Sequence, residues 1–187
     1  MAGIGIVGTG ISGLTLALYL QRHGVDVTLY APQNPGEIRA SRLPNSVIRF
    51  HPARERERLL GVAHWEFADF GASAIHLSIA GDHPLAFTGH LRHQASGVDF
   101  RIYLARLLED YASRGGRVVV GPVGPDDVAR LGTTHELVVV ASGRETAGLF
   151  PRDPHRSPFT APQRLLCAGL YRGVALPEPL GVSFNVA

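Results

Sequence analysis

Close to the amino terminus the apolar positions change period once, at a cluster of glycines. Ile4, Ile6 and Val7 form a short apolar run, after which Ile11, Leu14 and Leu18 recur at helical spacing. The run predicts a buried parallel strand and the recurrence a helix. Gly8-Thr9-Gly10-Ile11-Ser12-Gly13, a Gly-x-Gly-x-x-Gly pattern, therefore falls on a strand-to-helix turn. Each glycine has a steric job there: Gly8 for the tight turn, Gly10 for close backbone approach to a pyrophosphate, Gly13 for packing of the helix on the strand. The free amides at the helix start would face the phosphate charge.

Further along, His23-Gly24 closes the helix and residues 25–30 alternate like a second strand. Enzymes that bind NAD, and many that bind FAD, place an acidic residue near the end of this strand to hold the adenosine ribose. Tyr30-Ala31-Pro32 stands there instead, which counts against NAD. A loop rich in Pro, Asn and Gly is expected next, carrying Arg39, Arg42 and Asn45. Arg54, Glu55, Arg56, Glu57 and Arg58 before Leu59-Leu60 predict a solvated amphipathic helix.

Over 63–91 the pattern becomes strand-like at 64–67, 75–79 and 85–87, punctuated by Gly71, Gly81-Asp82 and Gly89. This predicts antiparallel hairpins inserted into a parallel fold, a common wall for a substrate cleft. Asp99 is placed to cap a helix whose apolar face is Leu104, Leu107, Leu108 and Tyr111, and which Gly115-Gly116 stops. A strand at 117–120, a short helix or turn at 124–131 and an apolar strand at 136–141 follow. The last ends in Ala141-Ser142-Gly143, a second small-residue turn at the carboxyl edge of the sheet. Two such turns at one edge suit a long dinucleotide. Beyond Gly143 prolines break the pattern, and strand character resumes at 165–171 and again from Val182.

The fold class expected is α/β. A Rossmann-like, doubly wound parallel sheet occupies 1–145 with an insert at about 63–91, and a second, mixed-sheet domain begins within 146–187.

Composition narrows the function classes. Apolar residues make up 45% and charged ones 18% of 187 residues, as in a soluble globular protein. All 18 basic residues are Arg, yet the net charge is only +2, and no basic patch points to nucleic acid. No secretory leader and no membrane span is expected. Cys167 is the only cysteine, which excludes an internal disulfide and favours a bacterial, cytoplasmic setting; between Leu166 and Ala168 it is expected to be buried. His90 and His93 are spaced as helix-borne metal ligands would be but lack a carboxylate or cysteine partner, so no metal is expected.

With these residues in view, the chain resembles the oxygenase component of two-component styrene and indole monooxygenases. The resemblance runs from Ile4 to about Ser183. It is most specific at Arg42-Leu43-Pro44-Asn45, at Val98-Asp99-Phe100-Arg101-Ile102-Tyr103, and from Ser157 through Pro162-Gln163-Arg164 to Leu170. It implies a flavoprotein that takes FAD reduced by a separate NADH-dependent reductase. A flavin hydroperoxide would then pass one oxygen atom to an aromatic alkene or indole, a step that needs no protein nucleophile.

The resemblance also implies site residues. Gly8, Gly10, Ile11, Ser12 and Gly13 would hold the pyrophosphate, and Arg42 and Arg101 would lie against phosphates or ribose. Val123 would stand on the adenine side, Ala141 and Gly143 would flank the flavin-bearing edge, and Asn45 would sit near the isoalloxazine as the catalytic candidate. Ala72 and Ile75 replace larger side chains, which implies a changed substrate pocket. Relatives of this group continue past residue 187. The alternatives are therefore a non-catalytic nucleotide-binding remnant and, from the residues alone, an NAD(P)-dependent oxidoreductase. Uncovered sheet edges predict self-association, a homodimer being its simplest form.

Overall fold

The computed structural model describes residues 2–43, 46–65, 71–143, 150–151, 153–156, 158–159, 161, 167, 169 and 171–186. The chain divides into two compact units, Met1–Arg42 with Arg101–Cys167, and Leu43–Phe100 with Ala168–Ala187.

The first unit contains β1 (Ala2–Val7), α1 (Ile11–Arg22), β2 (Val27–Ala31), α2 (Pro35–Ala40), α4 (Phe100–Ser113, its first residue assigned to the other unit), β6 (Arg117–Val120), α5 (Pro125–Thr134) and β7 (His135–Val140). Its four strands run parallel in the order β6-β2-β1-β7, as the Rossmann-like expectation requires. The apolar periodicity explains the layering. Ile6 and Leu29 are adjacent on the sheet and fully buried, and α1 covers it with Leu14, Ala17 and Leu18. α4 contributes Tyr103, Leu107, Leu108 and Tyr111. Each such side chain contributes roughly 1.5–3 kcal/mol on burial. Gln21 of α1 donates through Nε2 to the carbonyl of Tyr111, joining the ends of the two helices.

Where a loop was expected after β2, α2 forms. Asn34 is the reason: its Oδ1 accepts from the Glu37 amide at 3.0 Å, while its own amide donates to Glu37 Oε2 at 2.8 Å, a reciprocal cap with Pro35 in the first turn. Arg39 thus sits on a helix and makes a two-pronged pair with Glu109 of α4, both bonds 2.6 Å.

The second unit holds β3 (Ser46–Arg49), α3 (His51–Leu60), β4 (Gly71–Ile79), β5 (Leu85–Asp99) and β8 (Gly181–Val186). The sheet order is β3-β5-β4-β8; β4 pairs antiparallel with β5 and parallel with β8, so the sheet is mixed. The expected hairpin is there. Residues 64–65, by contrast, are not strand, and 66–67 lie outside the described residues. The register sets Leu77 beside Phe87 and Phe184, and Ile79 beside Leu85 and Val186, so one face of this sheet is an apolar surface.

Three further expectations change. The α3 helix forms, but it is not a solvated one: Arg54 and Glu57 are buried. Arg49 reaches Glu57 at 2.5 Å and Ser96 at 2.8 Å, and Arg54 donates to the Gln94 carbonyl at 2.6 Å. The alternation of Arg and Glu concealed this because only Arg54 and Glu57, three residues apart on one helix face, turn inward to partners from other elements. His90 and His93 lie on β5 and not on a helix, and the strand's register is irregular between His90 and Ala95; His93 stacks on His51 with ring centroids 3.8 Å apart. Cys167 is exposed, contrary to the burial predicted from its neighbours. An apolar run is buried only where an element packs it, and the described residues 167, 169 and 171 belong to no strand. The remainder of the strand expected at 165–171 lies outside the described residues. Among the described residues no helix is long and apolar enough to cross a membrane.

Candidate functional site

The strand-to-helix turn after β1 has the stereochemistry its glycines predict. Gly8 adopts φ +109°, and a Cβ added there would stand 2.7 Å from the Ala141 carbonyl carbon. At Gly13 a Cβ would meet the Gly8 carbonyl oxygen at 2.1 Å, which is why α1 can approach the strand so closely. Gly10 differs: its nearest neighbour would be 3.9 Å away, so the space in front of it is open to a ligand. Gly10 also caps α1. Gly10 has no side chain with which to bond that helix end, and the first turn has no acidic residue, so the leading amides of Ile11, Ser12 and Gly13 face no carboxylate from their own turn. This is a cradle of the kind a pyrophosphate fits.

The cradle lies where the sheet order reverses. β1 is connected through α1 to β2 on one side, while β7 lies on the other. Open α/β sheets bind ligands outside the carboxyl ends of strands at such a point. The end of β7 is fastened there: the Ala141 amide donates to the Val7 carbonyl at 2.7 Å, and Ser142 Oγ donates to the same oxygen at 3.3 Å. Gly143 follows with φ +60°. A cleft opens along this edge, lined by Val7, Gly8, Tyr30, Pro32, Gly121, Val123 and Ser142.

Of the residues expected in a site, Gly8, Gly13 and Ala141 come into contact, and Val123 shares the cleft with Gly8. Ile11 and Ser12 are exposed at the start of α1. Arg101, in the first turn of α4, donates to the Ser41 carbonyl at 3.3 Å, which brings it beside the backbone of the exposed Arg42. Neither arginine lines the cleft. Asn45 lies outside the described residues.

Sequence reasoning missed Tyr30, Pro32, Gly121 and Ser142 as lining residues. Gly121 carried a usable signal, since it ends an apolar strand and its amide donates to the Ala31 carbonyl at 2.8 Å. Gly5 was also passed over. Its missing side chain makes room for the His135 ring, which a Cβ would approach to 2.8 Å.

The order of strands, the glycine turn and the cleft at the switch point define a Rossmann-like α/β unit. A family model described as "NAD(P)-binding Rossmann-like domain" matches residues 6–52, and one described as "Styrene monooxygenase A putative substrate binding domain" matches 143–187. The chain is a homologue of styrene monooxygenase. It is 37% identical over 172 residues to "Styrene monooxygenase StyA" of Pseudomonas fluorescens, covering 91% of this chain and 41% of that relative, and it matches the protein of the same name from a Pseudomonas sp to the same extent. It therefore spans about two fifths of the length of the curated relatives it matches. Among solved structures, the flavin-dependent brominase Bmp2 superposes with a TM-score of 0.54 at 16% identity, over 65% of this chain and 30% of that one; this likeness shows the fold alone.

Proposed function

We propose that this chain is the FAD-holding amino-terminal part of a two-component flavin monooxygenase that epoxidises an aromatic alkene or indole. The observation that carries the reading is the open cradle in front of Gly10, set between the Gly8–Gly13 turn and the Ala141–Gly143 turn, in a chain homologous to styrene monooxygenase. Bound, reduced FAD would supply the activation of dioxygen. The chain's own residues bind and orient it. The amides of Ile11, Ser12 and Gly13 receive the pyrophosphate, and Arg42 and Arg101 add positive charge beside it.

Val123 contacts the adenosine end, Ala141 and Gly143 leave room for the flavin-bearing end, and Asn45 orients the ring. The apolar face built from Leu77, Ile79, Leu85, Phe87, Phe184 and Val186 suits an aromatic hydrocarbon and would keep water from it. Reduced FAD would come from a separate NADH-dependent reductase, in a cytoplasmic setting. The division into an FAD-binding part over 1–145 and the start of a substrate domain over 146–187 belongs to the same proposal.

A second reading rests on length. Because the chain spans 41% of its relatives, it also fits a nucleotide-binding remnant without oxygen transfer. Anaerobic titration with reduced FAD, then mixing with oxygenated buffer and styrene or indole, separates the two. Epoxide or oxidised indole supports the oxygenase, binding without product supports the remnant, and tighter binding of NADH than of FAD overturns both. Replacing Asn45 with Ala should lower product per NADH consumed; unchanged coupling would remove Asn45 from the site.

A further inference from the structure

Among the described residues each of the two sheets has two outer strands, and three of these carry a charge. Arg117 is exposed on β6 and Glu136 on β7, while Arg49 of β3 turns inward. Such charges discourage a further strand from adding at an edge. The fourth outer strand, β8, reads Gly-Val-Ser-Phe-Asn-Val and has neither a charge nor a proline. Its hydrogen-bonded neighbour is β4, and it is held there at both ends. The Leu180 carbonyl accepts from the Ser73 amide at 2.8 Å, and the Val186 carbonyl from the Ala80 amide at 2.7 Å. His76 Nε2 adds a bond to the Pro179 carbonyl at 2.9 Å. Phe184 and Val186 are nevertheless 51% exposed.

These bonds fix which backbone groups of β8 are left over. Carbonyls alternate in direction along a strand, so with those of Leu180 and Val186 facing β4, the amides and carbonyls of Ser183 and Asn185 face outward. In an antiparallel pair, outward-facing residues must oppose outward-facing ones. A second β8, related by a two-fold axis through Phe184 and perpendicular to the sheet, meets that condition. Ser183 then pairs with Asn185 across the axis, Val182 with Val186, and Phe184 with its own counterpart. The rotation also keeps each face on its own side, so apolar side chains meet apolar ones and polar meet polar. Centring the axis on Ser183 or Asn185 would leave Val186 or Val182 with no strand residue opposite. A two-fold axis sets like against like, and β8 has no charge to be repelled.

We propose that the outer edge of β8 is an interface for a second copy of this chain, whose own β8 adds antiparallel to it in the register centred on Phe184. The two mixed sheets then become one continuous sheet. The two Phe184 rings form a pair without backbone bonds between them, the kind in which side chains approach most closely. The apolar face built from Leu77, Phe87 and Phe184 extends across both copies and stays open. The interface does not depend on the reading of the cleft as an FAD site.

The test uses the whole chain. Sedimentation equilibrium over roughly a hundredfold range of concentration should show the mass rising from 20.1 kDa towards twice that value. A monomer throughout overturns the proposal. Phe184→Lys sets two like charges against each other at the axis and should weaken association about tenfold or more. Val119→Lys, on the outer strand β6 and at a side chain 44% exposed, should leave it unchanged. An effect at Val119 and none at Phe184 overturns the proposal. The register has its own check, in a Cys167→Ser background that removes the exposed native thiol. Phe184→Cys should cross-link the two copies in oxidised glutathione, because the Cα atoms of such a pair stand about 4.5 Å apart, within disulfide reach. Leu85→Cys, equally exposed but on β5, should not. Failure to cross-link at Phe184, or equal cross-linking at Leu85, overturns the proposal. Circular dichroism identifies a Phe184→Lys protein that has not folded, in which case the cross-linking decides.

Discussion

The β6-β2-β1-β7 sheet is shaped by absent side chains, whereas the β3-β5-β4-β8 sheet is anchored by a buried charge. In the first, Gly8 and Gly13 permit backbone approaches that any Cβ would block. In the second, the Arg49 guanidinium, 2% exposed, joins Glu57 of α3 to Ser96 of β5 and lies 5.6 Å from the centre of the Trp65 ring. Glycine acts locally and leaves a pattern that can be read along the chain. A buried ion pair acts between distant elements, and its partners look like ordinary surface charges until the fold brings them together. Arg49 and Ser96 are 47 residues apart.

The largest effect should come from breaking that pair. Glu57→Ala leaves Arg49 buried without its carboxylate, and removing one partner of a buried pair costs about 3–5 kcal/mol. Urea unfolding at neutral pH should show this loss, and the double change Arg49→Met with Glu57→Leu should recover most of it, because both charges are then gone. If Glu57→Ala unfolds like the unaltered chain, the anchor lies elsewhere, and the contrast between the two sheets collapses.

Next in size is the glycine turn. Gly13→Ala forces a Cβ onto the Gly8 carbonyl, and such overpacking costs typically ~1–3 kcal/mol. It should also lower FAD affinity, since the turn must open. Gly10→Ala meets open space, so its melting temperature should hardly move while FAD binding weakens. Equal thermal losses at the two positions would show that Gly10 serves packing and that the cradle is not a ligand site.

The same contrast explains what could be read from the sequence. Period and glycine spacing are properties of neighbouring residues, so β1, α1, β2 and the turn between them were legible, as were the hairpin of β4 and β5 and the end of β7. The helix α2 was legible in principle from Asn34-Pro35-Gly36-Glu37, a reciprocal cap hidden among loop-forming residue types. Tyr30 as a lining residue was not, and neither was its bond to His135, because Gly5 and His135 come near it only when β1, β2 and β7 pair. Arg54 and Glu57 were misread as solvated for the same reason.

Tyr111 probes the interior of the first unit. Its hydroxyl donates to the Val27 carbonyl at 2.7 Å, and burial, with the Asp26 charge adding to it, pushes the phenol up to about 12. A group whose value rises from 10 to about 12 on folding stabilises the fold below pH 10, and this contribution is lost as pH climbs towards 12. Tyr111→Phe should cost about 0.5–1.5 kcal/mol at neutral pH and flatten the alkaline fall in stability. An ultraviolet titration in which every tyrosine ionises near 10 would show that this hydroxyl is in water.

The smallest effect belongs to an exposed ion pair whose geometry rivals that of Arg49 and Glu57. Arg39 and Glu109 meet through two bonds of 2.6 Å, but their side chains are 42% and 40% exposed. The hydrogen bond from Arg39 holds the Glu109 carboxyl below its ordinary 4.5, against a weaker opposing effect of burial. The pair therefore helps above that value, and its help is lost as pH falls through the lowered one. Exposure discounts the gain, so Glu109→Gln should cost no more than about 0.5–1 kcal/mol at neutral pH and less still in 1 M salt. A loss as large as that of Glu57→Ala, unmoved by salt, would mean that burial is not what separates the two pairs. Alignment alone would then set their strength, and the second sheet would owe nothing special to its buried charge.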